Sequence, residues 1–99
     1  MTMTRRRAQA AVFLLEHVIA RELTPIAALH EWPDMNGERD ELLSASWRDL
    51  SDYSADLDMR VRNPRYAMCQ IELLVRRVEE IREKFQIDDD RDVAVSSTA

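Results

Sequence analysis

From Pro64 to Phe85 the apolar residues Ala67, Ile71, Leu74, Val78, Ile81 and Phe85 recur in steps of 4, 3, 4, 3 and 4. That spacing gathers all six onto one stripe of a helix, whereas a strand would scatter them over both faces. Asn63-Pro64, just upstream, supplies a helix cap and a first-turn proline. A helix with one oily stripe draws most of its stability from packing, so the stripe must lie against other helices, in this chain or in another.

The rest of the chain has to match. One glycine and three prolines in 99 residues leave little turn material, which argues against a many-stranded β fold. A content of 45% hydrophobic and 33% charged residues suits amphipathic helices better than disorder. A globule of this length buries roughly 60–65% of its unfolded surface, enough for one modest core. The expected architecture is all-α: a small antiparallel helical bundle of three long helices plus one short one over residues 1–87, followed by a flexible acidic and polar tail, 88–99.

Helices are expected over Thr4–Glu22, with Ala8, Ala11, Val12, Leu15, Val18 and Ile19 on one face, and from Thr24-Pro25 to about Glu31. Pro33 stops the second, and Asp34-Met35-Asn36-Gly37 is the strongest turn cluster. A third helix is expected from Glu38 to Leu57, with Leu43, Ser46, Trp47, Leu50, Tyr53, Ser54 and Leu57 inward. Asp58–Arg62 reads as an extended connector whose Met59 and Val61 tuck under the bundle, and the last helix runs to about Gln86. Trp32, Trp47 and Tyr53 are the expected large anchors of the core.

A single cysteine, Cys69, allows no intramolecular disulfide and fits a reducing compartment. No apolar run approaches the ~18 residues of a membrane span. Arg5-Arg6-Arg7 before Ala8–Leu15 has the outline of a signal peptide, but Glu16, His17, Arg21 and Glu22 interrupt it. The expected location is cytoplasmic. Thirteen of the fourteen basic residues are arginine, read as a genome-composition bias of a small bacterial protein.

Two surfaces stand out as partner-binding candidates. Tyr66, Cys69 and Leu73 lie off the heptad stripe of the last helix, and Phe13 lies opposite the stripe of the first. Off-stripe apolar residues on both long helices point to a second buried surface, hence a homodimer or partner contact. The third helix carries Glu41, Asp49, Asp52 and Asp56 opposite its apolar face. From Glu31 to Asp58 nine acidic residues face two basic ones, a local balance of −7, against +3 for Arg60–Phe85. Such a field steers a basic partner, although charged helical faces are most often simply solvated.

Chemical signatures are weak. His17 and His30 with Glu31 and Asp34 offer ligand types for a metal-dependent hydrolase but lack the spacing of His-Glu-x-x-His. Cys69 has no adjacent base, and Asp56-Leu57-Asp58 is a pattern that chance supplies in an acidic chain. One glycine cannot form a phosphate-cradling loop, and an acidic third helix repels nucleic acid. No catalytic residue, cofactor or metal is expected. The first functional expectation is a non-enzymatic protein-interaction module, homodimeric through the first and last helices. The second is an acidic neutralising protein covering a basic toxin or nuclease, since the chain resembles small acidic helical bundles of immunity or antitoxin type in size, charge and helix content.

Overall fold

The computed structural model describes residues 2–33 and 39–87, with the side chains of residues 2–4 excepted. Among these residues there are five helices and no strand: α1 (Thr2–Ile19), α2 (Pro25–Glu31), α3 (Glu41–Ala55), α4 (Leu57–Arg62) and α5 (Pro64–Phe85). The turn expected at 34–37 and the tail expected at 88–99 lie outside the described residues.

Local chemistry explains the helix ends. Thr24, Asp40 and Asn63 each sit in extended backbone and cap the following helix, with side-chain oxygens accepting from the N–H groups of Ala27, of Leu43, and of Arg65 and Tyr66. Pro25 and Pro64 occupy first-turn positions that lack an intrahelical N–H partner in any case. α1 ends three residues before the expected Glu22 because Arg21 enters the left-handed region at φ 63° and the N–H groups of Glu22 and Leu23 fold back onto the His17 carbonyl. No glycine announces that stop. At the far end Gln86 makes the same left-handed exit.

α5 is the central rod. Leu74, Val78 and Ile81 of its heptad stripe are buried against Ala8, Ala11, Val12, Leu15 and Val18 of α1 and against Leu43 and Leu50 of α3. Ala28 and Trp32 complete the core from α2 and its C-terminal flank. α3 runs antiparallel to α5, because Asp40 meets Lys84, Asp49 meets Arg77 and Asp56 meets Tyr66. The buried Ser46 hydroxyl donates to the Leu42 carbonyl at 2.8 Å, which satisfies it inside the same helix.

Three sequence expectations are corrected. The segment expected as an extended connector is α4, a six-residue helix, and α3 stops at Ala55. The chain breaks there because side chains take over: Asp56 accepts from the Tyr66 hydroxyl at 2.6 Å and from Gln70 Nε2 at 3.1 Å, and the Arg60 guanidinium donates to the Tyr53 carbonyl. Met59, Val61 and Leu57 are exposed, not tucked inward. Finally, Trp47 is 40% exposed and is no core anchor. The pairs made by Asp49 and Asp56 turn that side of α3 toward α5, and Trp47, about 100° around the helix from the buried Ser46, is left at the rim.

Candidate protein-docking surfaces

The four off-stripe apolar residues do not form one patch. Successive residues of α5 turn by about 100°, so Tyr66, Gln70, Leu73 and Arg77 make a second stripe beside the heptad seam. Its polar members reach α3: the Tyr66 hydroxyl and Gln70 Nε2 donate to Asp56, and Arg77 Nε donates to Asp49 at 2.6 Å. Leu73 lies between them and is half-buried. Of the surface inferred from sequence, Tyr66 is therefore engaged within the chain, at the Asp56 junction that follows α3. Cys69 is a free, exposed thiol on the outward side of α5.

Phe13 is different. It is 59% exposed and borders a groove of about 660 Å³ between α1 and α5, whose other walls include Val12, Val75, Val78 and Ile87. The Phe13 ring rests against the His17 imidazole, centroids 4.2 Å apart. Of the carboxylates bordering this groove, Glu16 pairs with Arg82, and Glu22 Oε1 lies 2.9 Å from His17 Nδ1. Glu79 stands outside those pairs.

The acidic set on α3 divides in the same manner. Asp49 is spent on Arg77, and this pairing holds the guanidinium pKa above its ordinary value. Asp56 is spent on Tyr66 and Gln70, and the Tyr66 hydroxyl pKa rises because it donates to that carboxylate. Glu41 and Asp52 remain outward and exposed. A further carboxylate, Asp40, acts within the fold: burial pushes its pKa up, but the Lys84 ammonium at 2.6 Å and the Leu43 N–H outweigh burial and hold it below 3.8. Sequence reasoning did not single out Asp40, although an aspartate three residues before Leu43 is a recognisable cap.

His30 is exposed, and His17 is committed to Phe13 and Glu22. Among the described residues no three His, Cys, Asp or Glu side chains converge as metal ligands, and Asp34 lies outside those residues. No described helix is long and apolar enough to cross a membrane.

A second groove, absent from the sequence expectations, opens where the α1–α2 turn meets α4 and the start of α5. It measures about 890 Å³. Val18, Leu23, Ala67 and Ile71 floor it, and Leu57, Val61 and Met68 stand on its edge. Val61 is 75% exposed and Met68 64%. The signal was present as the i, i+4 pair Leu57 and Val61, but a segment read as extended conceals it.

Comparisons with family models, curated proteins and solved structures return no match for this chain.

Proposed function

We propose that the protein is a non-enzymatic interaction module that pairs with a second copy of itself through the α1/α5 face. One observation carries the reading: Phe13, a large aromatic, is 59% exposed at a groove between α1 and α5 whose lining includes Val12, Val75, Val78 and Ile87. A two-fold contact brings identical patches together, so a face with a strong single-sign field would oppose itself. Here Arg82 offsets Glu16, while Phe13 and Val75 supply apolar area at the centre. Buried aromatics of this kind dominate interface energies, typically at about 2 kcal/mol or more.

Sedimentation equilibrium over a concentration series is the test. The natural chain should form a dimer, and Phe13→Glu should weaken it by at least ~30-fold, the equivalent of about 2 kcal/mol. The helical circular dichroism should be preserved, because the side chain is not part of the core. A natural chain that stays monomeric at hundreds of micromolar ends the proposal.

The acidic neutralising reading is the weaker one. Asp49 and Asp56, half of its four residues, are engaged with α5, which leaves Glu41 and Asp52 to meet a basic partner.

A further inference from the structure

Among the described residues lining the α1/α5 groove, His17 alone is of a type that changes charge near neutral pH. It stands half-buried in the last turn of α1, with the Phe13 ring against its imidazole. Glu22 Oε1 lies 2.9 Å from its Nδ1. An ionised carboxylate can only accept, so Nδ1 carries the hydrogen of that bond whether the ring is neutral or cationic. The titrating proton therefore enters at Nε2, and the contact with Glu22 survives the change.

Four other charged side chains share the groove: Glu16 from the same helix, Glu22 from the turn that follows, and Glu79 and Arg82 from α5. Arg21, next to Glu22 in the chain, lines the second groove, and Arg5 donates to the Gln86 carbonyl past the end of α5. With a neutral imidazole, three carboxylates against one guanidinium leave this face two negative charges. With a cationic imidazole it keeps one.

We infer that protonation of His17 strengthens the pairing of two copies through this face, so the dimer tightens as pH falls from about 8 to about 6. This regulation rests on the dimer proposed above. Two-fold symmetry sets like fields against each other, and repulsion between identical faces grows with the square of their charge. Halving the charge cuts that repulsion to about a quarter. Burying an imidazolium works in the opposite direction, but Glu22 stays at hydrogen-bond distance and the ring is already partly withdrawn from water in the single chain.

Sedimentation equilibrium of the full chain at about pH 8 and about pH 6, in roughly 50 mM salt, tests the link. The dimer dissociation constant should fall at least ~3-fold at the lower pH, and the difference should shrink in about 0.5 M salt. His17→Gln should pair like the natural chain at the higher pH and lose most of the pH response, with unchanged circular dichroism. His30→Gln, exposed on α2 and outside the groove, should keep the response. Glu79→Gln should tighten the dimer at the higher pH and respond less to acid, because its face passes only from one negative charge to none.

A dimer of equal strength at both pH values overturns the inference, as does a full response in His17→Gln. An undiminished response in Glu79→Gln also overturns it, since a purely local role of His17 in seating Phe13 would give that result. All three leave the dimer standing. A chain monomeric at hundreds of micromolar at both pH values removes the dimer itself, and this regulation with it.

Discussion

Two grooves are bordered by exposed apolar side chains, and the two are built differently. On the α1/α5 face Phe13 projects from a long helix whose opposite side is committed to the core, and the Glu16–Arg82 pair spans the groove beside it. On the α4 side Leu57 and Val61 belong to a six-residue helix with no buried residue and no side-chain N-cap bond. The same kind of exposed area therefore sits on a long, core-packed helix in one place and on a short, lightly held one in the other. Exposed hydrophobicity alone does not specify a contact. The stiffness of the supporting element and the field around it decide what kind of surface can approach.

The largest expected difference is in local opening. α4 has little to hold it beyond the Arg60 contacts, so its amides should exchange with solvent at least ~100-fold faster than those of Leu74 and Val78 in α5. Hydrogen exchange followed by NMR checks this, and equal protection would erase the contrast between the two surfaces.

Next in size is the link that fixes how α3 sits on α5. Asp49→Ala leaves the half-buried Arg77 facing α3 with only Glu80 at 3.2 Å, and should cost on the order of 1–3 kcal/mol in urea unfolding. Glu41→Ala, on the exposed part of the same helix, should change stability by no more than about 0.5 kcal/mol.

A smaller effect should follow pH. Asp40 titrates below its unfolded-state value, so the stability it contributes is present above roughly pH 4–5 and is lost as the pH falls through the folded-state pKa. Asp40→Ala should remove the cap and the Lys84 pairing together, costing about 1 kcal/mol at neutral pH and flattening the acid limb of the stability curve. An acid limb as steep as the natural chain's would show that other carboxylates carry it.

The smallest change probes the turn that floors the α4 groove. Arg21 adopts φ 63° at a cost glycine does not bear, so Arg21→Gly should raise the melting temperature slightly, by up to about 1 kcal/mol in stability.

Periodicity made much of the architecture legible. The heptad stripe of α5, the face of α1 and the caps at Thr24 and Asn63 are local features, decided by residues within a few positions of one another. The all-helical class follows from them. The break between α3 and α4 was not legible, because its cause is Tyr66 and Gln70 reaching across from α5 to Asp56, partners ten and fourteen residues away. Nor was the exposure of Trp47. Tryptophan is apolar enough to be assigned inward on a helical wheel, but the rotation of α3 is set by where Asp49 and Asp56 find their partners.

The same division applies to the surfaces. That Phe13 lies off the stripe of its helix can be read from residue spacing alone, since the angle between two residues on one rod depends only on their separation. The same spacing places Leu73 and Tyr66 off theirs. That Tyr66 is tied to Asp56 while Phe13 stays open, and that Leu57, Val61 and Met68 gather around one groove, depends on how the helices pack. The physical reason is that burial is a property of what packs beside a face, and in this chain that neighbour comes from a segment distant in sequence.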